Sequence, residues 1–365
     1  MSNARKLADN LPSVGQLGNR NMIINGAMRI AQRDTSVTSV TAAGYRTCDR
    51  FLFGPTSGTY TVTQESSAST ADGFTNSFKI ATTATGSSSN ITVQQRMEGQ
   101  HLQRLCYGTS SAKQTTVSFY VKSNKTGTYT LELYNTDNTT RQISKNYTID
   151  ASNTWERKTI TFPGDTSNGI NNDNALSMYL FWWLAAPSTF TSGTQNTSAW
   201  ANATNANRVS SSIVDISDTV GNYWEITGVQ WEVGPQATPF EHEPLSVTLS
   251  KCQRYFYQPV NVTSGSTQRF PYYTASAYSS GINVYGTFMF PVTMRAGPTY
   301  SVANIGGFRM RFGADTQATG SVVHGAVGTN GITPVFQASG VTFTPGRHGW
   351  IEARGGCKVS FDAEL

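Results

Sequence analysis

The feature that most limits what this chain can become is its rhythm. From Tyr45 onward, apolar and polar residues alternate in short runs, among them "TYTVTQE", "SFKIATT", "NITVQQRME", "TTVSFYVKS", "GTYTLELYN", "WERKTITFP" and "YWEITGVQWEVG". A period of two marks strands with one buried face, and no amphipathic helix of useful length interrupts them. The gaps between runs are too short for the helical crossovers of a parallel sheet, so a sandwich or barrel of antiparallel strands follows. Two of the runs, "TTVSFYVKS" and "GTYTLELYN", flank the turn-like "NKTG" and read as a hairpin.

Length divides the pattern. The chain has 365 residues, more than one typical domain. Residues 1–20 read as an N-terminal attachment arm and 21–244 as the first β-domain. After Pro244 the apolar spacing of "LSVTLSKCQRYFY" turns helical, giving a connecting helix over 245–258. Alternation resumes over 259–365, a second and smaller β-sandwich that ends on a strand.

Several function classes are disfavoured. Charged residues make up 13% of the chain, about half the usual ~25%. Seven Lys/Arg face three Asp/Glu in the first fifty residues, eleven face fifteen over 51–250, and nine face four beyond. No basic run concentrates the positive charge, so nucleic acid is not an expected partner. The longest apolar stretch, "MYLFWWLAAP", is far shorter than the ~20 residues of a membrane helix, so no membrane insertion is expected. Cys48, Cys106, Cys252 and Cys357 lie far apart without a CxxC pair, and their redox state is open. No HExxH, GxSxG or phosphate loop occurs, and "EHE" at Glu241–Glu243 sits in a linker; no enzyme and no cofactor are expected. "DTSNGINNDN" (Asp165–Asn174) offers oxygen ligands for a structural calcium without the EF-hand order, and reads as a polar loop.

Parity picks out candidate ligand-binding residues. In "VSFYVKS" the core takes Val117, Phe119 and Val121 and leaves Tyr120 and Lys122 outward; in "TYTLELYN" it leaves Glu132 and Tyr134. As a hairpin these four share one face. "YLFWW" is apolar on both sides, with Tyr179, Phe181 and Trp183 on one and Leu180, Trp182 and Leu184 on the other, the pattern of a strand between two layers. Trp183 is the candidate sugar platform if that face is open. In "YWEITGVQWEVG" the apolar phase shifts at Gly228, which predicts a bulge. Beyond it Gln230 and Glu232 point opposite to Trp231 and either meet solvent or line a groove.

The segment "ITGVQWEVGPQATPFEHEPLSVTLSKCQRYFYQ" resembles one that recurs in bacteriophage tail-fibre and virion structural proteins, with Trp231 where an aliphatic residue is more common. "NRNMIINGAMRIAQR" with "YRTCDRF" resembles the opening of the same phage domain, itself similar to carbohydrate-binding jelly rolls. "FMFPVTMRAGPTY" and "VSFDAEL" look like the C-terminal β-domain of such fibres. The resemblance implies a jelly-roll β-sandwich in a virion component on the tail or capsid surface. It further implies a homotrimer that contacts other virion proteins through its arm and binds host cell-surface glycans. A purely structural virion subunit is the alternative, and a polysaccharide depolymerase a weaker one.

Overall fold

A computed structural model describes residues 18–66, 73–262, 265–269, 275–277, 283–312, 315–338, 346 and 348–365. The attachment arm expected over 1–20 therefore falls, except for its last three residues, outside the described residues. The chain divides into two compact units that part between Thr248 and Leu249.

The first unit is all-β. Its strands are β1 (Ser36–Val40), β2 (Gly44–Tyr45), β3 (Leu52–Pro55), β4 (Thr59–Glu65), β5 (Ser77–Ala84), β6 (Ile91–Glu98), β7 (Thr115–Ser123), β8 (Gly127–Asn135), β9 (Arg141–Ile149), β10 (Glu156–Phe162), β11 (Leu176–Ala185), β12 (Ala201–Asn202) and β13 (Tyr223–Val233). Two antiparallel sheets result: sheet A in the order β1-β4-β5-β13-β7-β10, and sheet B in the order β12-β9-β8-β11-β6-β3-β2. Successive strands shuttle between the sheets, the habit of a jelly-roll sandwich.

Alternation sets the core. Val117, Phe119 and Val121 of β7 and Phe78 and Ile80 of β5 face Leu131 and Leu133 of β8 and Leu180 and Trp182 of β11, all buried in one cluster. Rings lock the layers together: Phe119 meets Trp182 edge-on at 5.9 Å, and Phe53 meets Tyr60 at 5.1 Å. Each such side chain contributes about 1.5–3 kcal/mol on burial.

The hairpin expected from β7 and β8 does not form. β7 pairs with β13 and β10, whereas β8 pairs with β9 and β11, so the turn crosses from sheet A to sheet B. Tyr129 closes this corner, its hydroxyl donating to the Lys125 carbonyl at 2.8 Å. A two-residue period reads the same for neighbours in one sheet and for partners in facing sheets, because both turn alternate side chains toward a core.

The bulge in β13 does form. Thr227 pairs with Tyr120 and Gln230 with Ser118, so Gly228 and Val229 together oppose Phe119. Gly228 has φ +61°, and a Cβ there would lie 2.6 Å from the Phe74 ring. The bulge puts Trp224 and Ile226 before it, and Val229 and Trp231 after it, into the same core. On its other side β13 pairs with β5 only through Ile226. The segment around Asn21–Gly26 then takes over: Val229 N donates to Gly26 O at 2.9 Å and Met22 N to Trp231 O at 2.8 Å. The Asn21 amide acts as a substitute peptide group, donating to Val229 O at 3.1 Å and accepting from Trp231 N at 3.0 Å.

Between β11 and β13, where the sequence shows only a polar loop, the chain forms helix α1 (Ser188–Thr191), β12 and a short 3-10 turn at Asn205–Asn207. Helix α2 covers Leu245–Gln253, and a strand begins at Phe256 within the span assigned to the connector from sequence. Among the described residues no helix is long and apolar enough to cross a membrane. None of the four cysteines forms a disulfide; Cys48 is buried, and desolvation drives its thiol far above the ordinary range.

The second unit has its own antiparallel core. Strand Lys358–Asp362 lies between Phe256–Asn261 and Thr299–Ala303. Phe361 stacks on Phe288 at 5.6 Å and on Tyr300 at 5.3 Å.

Gly26 tests how tightly the N-terminal segment seats. A Cβ on it would stand 2.0 Å from the Val229 carbonyl oxygen. Gly26→Ala is expected to destabilise the first unit by roughly 1–3 kcal/mol, read as a lower denaturation midpoint in urea. An unchanged midpoint would show that the segment does not hold the bulge.

Candidate functional site

The outer face of sheet B is organised in cross-strand rows. Register aligns Gln142, Tyr134, Tyr179 and Arg96 in the first, then Ser144, Glu132, Phe181 and Gln94, then Asn146, Thr130, Trp183 and Thr92. These residues point outward because their strand neighbours, such as Leu133, Leu180 and Trp182, fill the core. Tyr179 and Phe181 stack at 4.9 Å with planes 12° apart, and Tyr134 meets them edge-on at 6.1 and 6.2 Å. The Arg96 guanidinium lies 5.3 Å over Tyr179. Tyr134, Tyr179 and Arg96 remain half-buried, while Phe181 is 9% exposed.

The third row is covered. Trp183 is 1% exposed, packed against Phe190 of α1 at 5.0 Å and clustered with Val209. Arg208 fastens this cover. Its Nε and Nη2 donate to the two Glu132 carboxylate oxygens at 2.8 and 2.9 Å, and the Trp183 indole Nε1 donates to Glu132 Oε2 at 2.7 Å. The guanidinium also lies 4.4 to 5.5 Å from the rings of Tyr134, Trp183, Phe181 and Phe190. Burial pushes the Glu132 carboxyl upward, and the Arg208 charge with the three donated hydrogen bonds pulls it back. Two-point pairing with an arginine is the arrangement that makes a desolvated carboxylate tolerable. Further along the loop, Gln195 exchanges hydrogen bonds with Asn146 and donates to Ser144, covering the β9 end of these rows.

What remains partly exposed is a compact patch of the Tyr134 and Tyr179 rings, the margin of Phe181 and Arg96, whose Nε donates to Gln94 Oε1 at 3.3 Å and whose Nη1 donates to the Leu365 carbonyl. With Phe181 and Arg96 against the Tyr179 ring and Arg208 against Tyr134, the patch presents ring edges and tyrosine hydroxyls, which can pack against an apolar surface and hydrogen-bond around it.

The seven residues singled out by sequence do not come together. Glu132, Tyr134 and Trp183 share the outer face of sheet B, but Tyr120 and Lys122 lie on the outer face of sheet A, as the lost hairpin requires. Lys122 Nζ sits 2.9 Å from Glu225 and 4.7 Å from the Trp155 ring. Tyr120 packs on Phe74 at 5.6 Å. Gln230 and Glu232 neither meet solvent nor line a groove; both are buried. Glu232 accepts from Thr238 N at 2.8 Å and Thr238 Oγ1 at 2.7 Å, and Gln230 Oε1 accepts from Glu241 N at 2.8 Å. They clamp the chain as it returns over sheet A. Trp183 as an open platform is likewise corrected, since the loop after β11 covers it.

Arg208 and Arg96 complete the site without a sequence signal. Arg208 lies in an aperiodic loop, and Arg96 in a strand whose outer face reads as ordinary polar surface. Tyr179 and Phe181 were legible from the parity of "YLFWW". The Asp165–Asn174 loop cross-links its neighbours: Arg141 Nε donates to Asp165 Oδ2 at 2.7 Å and Asn171 N to Asp137 Oδ2 at 2.9 Å. In "EHE", Glu241 Oε2 accepts from Asn21 N at 2.9 Å and His242 packs on Phe74 at 5.3 Å.

Removing Arg208 alone strands a buried carboxylate. Arg208→Ala is expected to cost about 3–5 kcal/mol in urea unfolding, and Glu132→Leu/Arg208→Met to recover most of it. An equal loss in the double variant would mean that packing, not the charge pair, holds the cover.

No protein-family model matches the chain, and no curated protein matches its sequence. Among solved structures, the enzymatically active domain of tailspike protein 4 from bacteriophage CBA120 matches 59% of this chain and 21% of that one, at 14% identity and a TM-score of 0.33. The chain thus spans about a fifth of the tailspike's length. A family 11 carbohydrate-binding module from Clostridium thermocellum, solved with a β-1,3-1,4-mixed-linked tetrasaccharide, is matched over 98% of its length by 56% of this chain, at 13% identity and a TM-score of 0.26. The CBM22-1 xylan-binding domain from Paenibacillus barcinonensis is matched over 100% of its length by 57% of this chain, at 11% identity and a TM-score of 0.27. Likeness at this level carries no argument about ligand or partner.

Proposed function

We propose that this protein is a non-enzymatic component of a phage virion appendage that attaches to host-surface glycans through the outer face of sheet B. The binding reading is carried by the half-exposed Tyr134 and Tyr179 beside Phe181 and Arg96, on strands held rigid by the core beneath. The virion reading is supported by the sequence resemblance over Asn19–Arg33 and Ile226–Gln258. Glycoside cleavage needs two available carboxyl groups, and Glu132 on this face is tied to Arg208 and Trp183. The reading needs no cofactor.

A purely structural virion subunit is the second reading. It is favoured by the burial of Trp183, Gln230 and Glu232, which serve packing. A glycan-array screen decides between the two. Tyr179→Ala is expected to weaken glycan binding by about tenfold or more, near 1.4 kcal/mol, while the protein keeps its native circular dichroism. Lys122→Ala, on the opposite sheet, should leave binding as it was. Absence of any glycan signal from the multivalent protein would favour the structural reading, and release of reducing ends would establish a depolymerase.

We place the subunit in a homotrimer, attached through its N-terminal arm to other virion proteins. Light scattering should give three times the chain mass; a monomeric mass would count against it.

A further inference from the structure

We infer that Asn330 is a self-modification site: in the folded protein its side chain cyclises onto Gly331 and reopens as aspartate or isoaspartate. The chain's other Asn-Gly pairs, Asn25-Gly26 and Asn168-Gly169, are protected. All three pairs carry the same reactive groups and differ in what surrounds them. Asn25 is buried; its Nδ2 donates to Ile30 O at 2.9 Å and to Asp49 O at 3.1 Å, and its Oδ1 accepts from Ile30 N at 3.0 Å. Asn168 is buried too, its Nδ2 donating to Asp137 O at 2.7 Å and to Thr139 O at 2.9 Å. In both, two carbonyls hold the nitrogen that would have to depart.

Asn330 is exposed. It lies in the turn 328–331 between strands Asp315–Val327 and Gly331–Ala338, where Gly328 N donates to Gly331 O at 3.0 Å. Phe290 N donates to Asn330 O at 2.9 Å and Met294 N to Thr329 O at 2.8 Å, so the backbone of the turn is held while the carboxamide is not. Asn330 Oδ1 accepts from Thr293 Oγ1 at 2.7 Å, and among the described residues its Nδ2 has no partner. A Cβ at 331 would stand 2.6 Å from Phe288 O, so the position requires glycine and no side chain shields its nitrogen.

The step needs only water. Gly331 N gives up its proton and attacks Cγ of Asn330, with Thr293 Oγ1 donating to the oxygen on which charge gathers. The Cγ–Nδ2 bond breaks, Nδ2 takes up a proton and leaves as ammonia, and a cyclic imide remains. Water then opens the imide at either carbonyl. The isoaspartate product adds a main-chain methylene inside a turn whose carbonyls are already committed to Phe290 and Met294.

The full chain, incubated folded at mildly alkaline pH and then digested, tests this by chromatography and mass spectrometry of the peptides holding each pair. Conversion at Asn330 is expected to be at least about tenfold faster than at Asn25 or Asn168, where the fold must first open. In urea Asn168 and Asn330, which share the triplet Asn-Gly-Ile, should convert within about threefold of each other, because no folded contact separates them. Asn330→Gln, checked for native circular dichroism, should remove the acidic species from isoelectric focusing of the folded protein. Equal conversion at a buried pair, an Asn330 that stays intact in the folded chain while it reacts in urea, or an acidic species that survives in Asn330→Gln would each overturn the inference.

Discussion

At Gly228 the central strand of sheet A carries one residue more than β7 can pair, and there β5 has already parted from it. A buried peptide group left without a partner costs about 1–3 kcal/mol, so something must fill that gap. The stretch from Asn21 to Gly26 does so, with its own backbone and with the Asn21 amide. Because Val229 and Trp231 are thereby fixed in the core, the parity of the rest of β13 follows. Gln230 and Glu232 turn outward and clamp the returning chain. The segments at the two ends of the first unit are held by one set of hydrogen bonds.

Sheet B solves a different problem. β11 is apolar on both faces, and its outer aromatic stripe would be a hazard if wholly exposed. The loop after it covers the Trp183 end with Phe190 and Val209, and the Arg208–Glu132 pair fixes that cover at a point where Glu132 is fully buried and Arg208 nearly so. The Coulomb gain alone does not offset the desolvation of both groups. The pair is retained with the Trp183 indole and four ring contacts around it, a fully satisfied network that specifies one position for the loop. The half-exposed tyrosines therefore stand on a surface whose neighbours cannot rearrange cheaply.

Much of this was legible in the residues. The all-β sandwich followed from the two-residue period, the bulge from the phase shift at Gly228, and the double-sided burial of "YLFWW" from its lack of a polar face. The assignment of strands to sheets was not legible, because parity says inward or outward and not which layer. That one gap placed Tyr120 and Lys122 beside Glu132 and Tyr134, when they lie on opposite outer faces of the sandwich. What covers Trp183 was hidden for a related reason: the cover comes from Ser188–Arg208, a polar stretch without periodicity whose docking depends on Phe190 and Arg208.

The central claim is that binding capacity lies on the tyrosines of sheet B and not on sheet A. Hydroxyl-radical footprinting with mass spectrometry, with and without a saturating glycan, tests it most directly, because oxidation reports side-chain exposure ring by ring. The account predicts that ligand suppresses labelling of Tyr134 and Tyr179 and leaves Trp155 and Tyr223, on the outer face of sheet A, as reactive as before. Protection of Trp155 and Tyr223 with no change at Tyr134 and Tyr179 would contradict it.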